Sequence, residues 1–168
     1  MRYRIPVILF LSFIFIQQAV ASSEAVSSSF LGSIVTPYLE IQTGLAADDV
    51  SAAQKGASAF TEAVEGASVD QSSEATTRLL EPARRILEAA DLDSAREAFA
   101  PLSNELRTLA EKVGVSSEKP IYIAYCPMAS NGKGGHATWL QNDKTIMNPY
   151  HGSGMLHCGV IEKQIQKQ

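Results

Sequence analysis

The chain has 168 residues, 14 Lys and Arg against 18 Asp and Glu, a net charge of −4 and 45% hydrophobic side chains. That length suffices for one domain with a real core. The acidic balance argues against nucleic acid as a partner, because phosphate backbones demand a basic face.

Residues 1–21 read as an export signal and not as fold. Arg2 and Arg4 form a short basic start, Ile5 to Ile16 is an apolar run broken only by Pro6 and Ser12, and Ala19-Val20-Ala21 is a small-x-small cleavage site. The run is shorter than the roughly 20 apolar residues a spanning helix needs. An uncleaved anchor is the alternative; cleavage after Ala21 predicts a single domain, residues 22–168, in the periplasm with no stable membrane anchor.

Residues 27–114 carry helical periodicity. Phe30, Ile34, Tyr38, Ile41 and Leu45 form a first apolar stripe. Asp48 or Asp49 is placed to cap a second helix with the stripe Val50, Ala53, Ala57, Phe60 and Val64, and Gly66 suits its end. A third helix is expected from about Ser72 to Ala90, burying Leu79, Leu80, Ala83, Ile86 and Leu87. Asp93, beside Ser94, is the expected cap of a fourth, whose stripe is Ala95, Phe99, Leu102, Leu106, Leu109 and Val113, with Gly114 as its stop. Pro37, Pro82 and Pro101 fall inside three of these segments and predict kinks or short breaks. Four amphipathic helices with short connections predict a mainly α fold, a four-helix antiparallel bundle.

Composition changes at Pro120. Ile121 to Cys126 is aromatic and β-branched and predicts a strand. Asn131 to Gly135 is a glycine-rich turn, Trp139-Leu140 and Thr145-Ile146-Met147 are short extended candidates, and Asn148 to Gly152 is a Pro/Gly-punctuated turn. A polar tail follows Gly159. Residues 120–160 are thus expected to form a small β or irregular C-terminal lobe of the same domain.

The chemistry concentrates in that lobe. Apart from Met1, every Met, His and Cys lies between Cys126 and Cys158: Cys126, Met128, His136, Met147, His151, Met155, His157 and Cys158. Thiolates, thioethers and imidazoles are the ligands of soft and borderline metals. Cys126 and Met128 are two apart in an extended segment, and Met155 and Cys158 three apart on a turn, so the two pairs can be joined around one ion. Two thiolates with two thioethers suit Cu(I) better than zinc. A zinc site from Cys126, Cys158 and one or two of His136, His151 and His157 is the other metal option. Against both stands a Cys126–Cys158 disulfide, the usual fate of two cysteines in an exported protein, closing a loop of about thirty residues worth roughly 3–4 kcal/mol. Methionine is also a common core filler.

No enzyme motif stands out. Cys-x-x-Cys, Gly-x-Ser-x-Gly, a phosphate-cradling loop and His-Glu-x-x-His are all missing from the sequence, and a cysteine with a histidine base is the nearest approach to a nucleophile. The expectation is a protein that is not an enzyme.

Tyr125-Cys126-Pro127-Met128-Ala129, Trp139-Leu140, Ile146-Met147-Asn148-Pro149-Tyr150, Gly152, Met155 and Cys158-Gly159 resemble an uncharacterised bacterial exported domain, found alone or fused to the C-terminal side of CusB-like heavy-metal efflux adaptor proteins. Arg96 and Phe99-Ala100-Pro101-Leu102-Ser103 resemble that domain's last bundle helix. The resemblance implies an exported, mainly helical module linked to copper or silver handling, with Cys126, Met128, Met155 and Cys158 on the motif positions. The family pattern has an aromatic at the position of His151 and no histidine at that of His157, so these two are either extra ligands here or neutral variation. The lack of coiled-coil hairpin and barrel segments fits the free-standing form. The expected function is a periplasmic Cu(I)-binding protein that serves an efflux system; the alternative is a disulfide-stapled structural or protein-interaction module with no metal.

Overall fold

The computed structural model describes residues 26–67, 69, 72–130 and 136–167. The expected export signal (1–21) and the glycine-rich turn 131–135 lie outside the described residues. Four helices come first: α1 (Ser28–Ala46), α2 (Val50–Glu65), α3 (Glu74–Leu87) and α4 (Leu92–Val113). Three strands follow: β1 (Tyr122–Ser130), β2 (His136–Gln141) and β3 (Val160–Gln164), with a single 3₁₀ turn at Gly152–Gly154. The protein is therefore mainly helical, with a small antiparallel sheet at its C-terminal end. Among the described residues no helix is long and apolar enough to cross a membrane.

Each helix begins where a side-chain oxygen satisfies an orphan N–H. Ser27 accepts from Phe30 N, Asp49 from Ala52 N, Ser73 from Thr76 N and Asp91 from Ser94 N. The last differs from expectation: Asp91 caps α4, and Asp93 lies in its first turn. Asp91 wins because Ser94, three residues on, returns the bond to the Asp91 N–H and completes a capping box. Gly114 ends α4 with φ 75°, a conformation that other residues adopt at a cost.

The prolines do not break their helices: α1, α3 and α4 run uninterrupted through Pro37, Pro82 and Pro101. Interior proline costs about 3 kcal/mol. Burying one Leu, Ile or Phe side chain returns about 1.5–3 kcal/mol, and each of these helices buries several. Leu79, Leu80 and Ile86 flank Pro82, and Phe99, Leu102 and Leu106 flank Pro101.

The stripes are buried as their spacing demands: Ile34, Tyr38, Ile41, Leu45, Ala53, Ala57, Phe60, Val64, Leu79, Ile86, Phe99 and Leu102 are fully enclosed. Val50, Leu87 and Val113 are only half-buried at the margins. α1 packs on α2, α2 on α3, α3 on α4, and α4 returns to α1. α1 also buries Leu31 and Val35, and the C-terminal lobe packs against it through β2 and the 3₁₀ turn. Two glycines set the α1–α2 distance: a Cβ at Gly44 would lie 2.5 Å from Ala53 N, and one at Gly56 2.7 Å from Ile41 N.

The sheet has the order β2-β1-β3, all antiparallel. β1 pairs Ile123 with Leu140 and Tyr125 with Thr138 on one side, and Ala124 with Ile161 and Tyr125 with Val160 on the other. Register slips between Cys126 and Ser130, where Pro127 has no N–H to offer the ladder. The expected strand Ile121–Cys126 is thus present and longer. The expected polar tail is instead β3, an edge strand with only Ile161 partly covered, held by backbone pairing and by Ile165 N–H to the Ile121 carbonyl at 2.8 Å. Thr145-Ile146-Met147 is no strand: Gln141 Nε2 takes the carbonyls of Asp143 (2.6 Å) and Thr145 (2.9 Å), leaving the segment without a ladder partner.

The outer edge of β2 meets the helices. Leu140 N–H donates to Tyr38 Oη at 3.0 Å. Ser103 Oγ donates to the Thr138 carbonyl at 2.9 Å, as does Tyr150 Oη at 2.8 Å. With its proton committed to Thr138, Ser103 accepts from Tyr38 at 2.6 Å. Edge-strand groups that would otherwise need water are therefore met by side chains from α1, α4 and the following loop.

Two outcomes test this packing. Gly56→Ala gains about 0.5–1 kcal/mol of helix propensity but overpacks a backbone contact at about 1–3 kcal/mol, so its Tm should fall; Gly154→Ala, whose Cβ meets nothing within 4 Å, should leave Tm near wild type. Tyr38→Phe strips the partner from buried Leu140 N–H and should cost about 1–3 kcal/mol in denaturant unfolding.

Candidate functional site

Cys126 and Cys158, 32 residues apart, meet at an Sγ–Sγ distance of 2.8 Å, both as free cysteines. Cys126 sits on the central strand and is fully enclosed. Cys158 is half-buried, at the end of a turn closed by its N–H to the Met155 carbonyl at 3.0 Å. The next residue, Gly159, has φ 140°, and a Cβ there would stand 2.8 Å from the Tyr125 carbonyl and 2.9 Å from the Trp139 ring. Only glycine lets the chain cross that ring so closely, and the crossing sets Cys158 against Cys126. The neighbouring Cys126 sulfur, burial and mutual repulsion push the Cys158 thiol above its ordinary range.

Asn148 holds the other side of this loop. Wholly buried, it donates from Nδ2 to the Cys158 carbonyl at 2.7 Å and accepts at Oδ1 from Tyr150 N and His151 N. Gln42 of α1 reaches the Met147 carbonyl at 2.6 Å. Arg96 of α4 donates to the Pro149 carbonyl (2.9 Å), to the Leu45 carbonyl (2.9 Å) and to the Asp48 carboxylate, whose second oxygen receives Ser153 N–H at 2.9 Å. Asp48 itself has φ 57°, the left-handed region an Asp tolerates better than most residues. Composition alone did not flag Gln42, Asp48, Gln141 or Asn148 as part of the site's frame. The available signal was an Asn-Pro-Tyr sequence after an apolar run, a side chain suited to holding its own turn.

The remaining expected ligands are spread out. Met128 is 69% and Met155 41% exposed; with Val160 they are the exposed large hydrophobic side chains among the described residues. They are not core filler. His157 is exposed, with Nδ1 2.7 Å from the Ile146 carbonyl, so Nδ1 carries the proton and donates. His151 faces an open cavity of about 930 Å³ that also touches Arg96, Glu97, Asn104 and Tyr150, and its Nε2 is enclosed without a hydrogen-bond partner. The His136 side chain lies outside the described residues. Among the described residues no group of three or more His, Cys, Asp or Glu is gathered to hold a metal ion. Neither His151 nor His157 therefore makes such a group with the two cysteines.

Trp139, Tyr150, Phe99 and Tyr38 form a continuous aromatic run under the lobe, with successive ring centroids 6.1, 5.7 and 5.3 Å apart. Burial pushes the Tyr38 and Tyr150 hydroxyls far above their ordinary value, so both stay protonated donors. The resemblance-bearing residues Trp139, Asn148, Tyr150, Gly159, Arg96 and Ser103 thus all have structural employment, as does Gly152, whose backbone at φ 54° packs against the Asp48–Arg96 pair where a Cβ would not fit. Of that string, the two cysteines and the two exposed methionines are left for chemistry.

The family described as "Protein of unknown function (DUF3347)" matches residues 34–118, half of the chain, and the chain belongs to that family. The matched span runs from within α1 to just past α4 and stops before β1, so the cysteine-bearing lobe lies outside it. Comparison with curated proteins and with solved structures gives no match.

The Asp48 latch has a pH signature. Hydrogen bonds from Ser153, then Arg96, hold its carboxyl down at about 2, against about 3.9 unfolded. A depressed folded value means stability that is present above the unfolded value and lost as pH falls towards 2. Asp48→Asn should therefore cost on the order of 1 kcal/mol near neutral pH, after allowance for screening of a part-exposed carboxylate. In chemical denaturation at several pH values, the gap to wild type should close between pH about 4 and about 2.

Proposed function

We propose that this member of the DUF3347 family binds a soft monovalent cation, Cu(I) or its chemical analogue silver, through the thiolates of Cys126 and Cys158. The observation that carries the reading is the meeting of these two thiols from distant points of the chain, with exposed thioethers next to both in sequence. An exposed methionine forgoes the burial that usually justifies its apolar side chain. One, Met128, lies two residues after Cys126 and the other, Met155, three residues before Cys158, and thioethers beside thiolates are donors a soft cation prefers. Zinc is the poorer fit, since structural zinc takes four ligands and the described residues gather no third His, Cys, Asp or Glu.

Loading requires movement. Two sulfurs each about 2.3 Å from one metal in tetrahedral array stand about 3.8 Å apart, against 2.8 Å here. Cys126 is fixed in the central strand, so the opening of roughly 1 Å falls to Cys158 at the mouth of its turn. Both thiols must release protons on loading. In this reading the four helices, which pack in a closed ring of neighbours, form an antiparallel four-helix bundle that serves as the platform. The protein acts after export, in the periplasm, as a carrier or store for a heavy-metal efflux system.

Titration of the reduced protein with Cu(I) against a competing chelator tests this. One tightly bound equivalent is expected, lost in the Cys126→Ala/Cys158→Ala double variant. Met128→Leu and Met155→Leu should each weaken binding if their sulfurs complete the shell, because leucine offers no donor atom. Unchanged binding in the double cysteine variant would sink the assignment.

A second reading has its own support. A separation of 2.8 Å lies closer to the roughly 2.05 Å of a disulfide than to a metal-bridged pair. A Cys126–Cys158 bond would fasten the lobe of a protein-interaction module with no metal. Protein recovered unreduced from the periplasm would then show a two-hydrogen mass deficit and no bound metal.

A further inference from the structure

The two thiols are unequal, and that inequality assigns an order of events. We propose that Cys158 is the thiol that exchanges with disulfides in the surroundings, and that Cys126 is the resolving thiol that closes the internal bond. The inference deepens the soft-cation reading, since closing the bond consumes both ligands and shuts the site, but it concerns only the reactivity of the pair.

Thiol exchange needs an incoming disulfide in line with the attacking sulfur. Cys126 is fully enclosed on the central strand, paired with Ala137 of β2 and covered at its sulfur by Cys158, so it offers no exposed surface to an incoming disulfide. Cys158 is half-buried, on a loop turn with exposed Met155 before it and exposed Val160 after it. The two sulfurs are already 2.8 Å apart, so the second step needs almost no chain movement. Cys126 thus stands at high effective concentration towards a neighbour and out of reach of everything else.

The chemistry balances with one external oxidant, a disulfide RSSR. The Cys158 thiolate attacks one sulfur of RSSR, forming Cys158–S–S–R and expelling RS⁻. The Cys126 thiolate then attacks the Cys158 sulfur, the mixed S–S bond breaks, and a second RS⁻ leaves. The two thiol protons end on these leaving groups, so two RSH are released. The protein loses two electrons and two protons to RSSR. Reduction by an external thiol runs the same path backwards, entering at Cys158.

The test uses reduced, metal-free protein and oxidised glutathione, read by intact mass and peptide mapping. Wild type should lose two hydrogens without accumulating an adduct. Cys126→Ala, which keeps the enclosed position apolar, should accumulate one glutathione on Cys158. Cys158→Ala should react at least about tenfold more slowly under native conditions and at a comparable rate in denaturant. Wild type labelled with a sub-stoichiometric alkylating agent checks the order without any variant: the first label should map to Cys158. First label on Cys126, or a wild-type adduct that persists without closing, would overturn the proposal. The arms stay separable: absent Cu(I) binding with Cys158-first exchange removes only the metal reading, and stoichiometric Cu(I) binding with Cys126-first labelling removes only this one.

Discussion

The structure hangs on how the outer edge of β2 is satisfied. A three-stranded sheet leaves two edges, and an edge next to a hydrophobic core cannot rely on water. Here the Thr138 carbonyl and the Leu140 N–H, which point away from β1, find Ser103, Tyr150 and Tyr38. Proton accounting leaves one solution: Tyr38 donates to Ser103, Ser103 donates to Thr138, and Leu140 donates to Tyr38. Burial keeps both tyrosines protonated, so the arrangement does not titrate in any ordinary range. Sheet and helices are thereby one unit, with Trp139 at the seam.

The loop between β2 and β3 follows the same economy. Its irregular backbone is met group by group: Gln42 at Met147, Asn148 at Cys158, Arg96 at Pro149, Asp48 at Ser153. Gln42 and Arg96 reach from α1 and α4, Asp48 from the α1–α2 turn and Asn148 from within the loop, each to a carbonyl or N–H that would otherwise be stranded. The consequence is positional. With both flanks of the loop tied down and Gly159 laid across Trp139, Cys158 is brought beside Cys126.

This geometry joins the two chemistries open to the pair. In the proposed reading a soft cation and a disulfide would compete for the same two sulfurs, whose spacing lies between what each requires. A fixed, sealed Cys126 and a surface-facing Cys158 give the pair one rigid jaw and one that opens.

The helices were legible from the chain because their information is local. Apolar spacing set the stripes that are buried, and Ser27, Asp49 and Gly114 mark ends that need only neighbours within a turn. The clustering of sulfur and imidazole between residues 126 and 158 was equally plain. Local rules failed where a distant partner decides. Prolines predicted to interrupt are carried by packing from other helices, β3 exists because β1 offers it a ladder, and Asp91 displaces Asp93 through its reciprocal bond with Ser94. Sequence nominated Cys126, Met128, Met155 and Cys158, with His151 and His157 beside them, but could not show whether they converge. Convergence is a property of the tertiary fold: pairing of β1 with β2 and β3, the Gly159 crossing and the Asn148 clamp bring two cysteines together, while the neighbouring methionines stay at the surface.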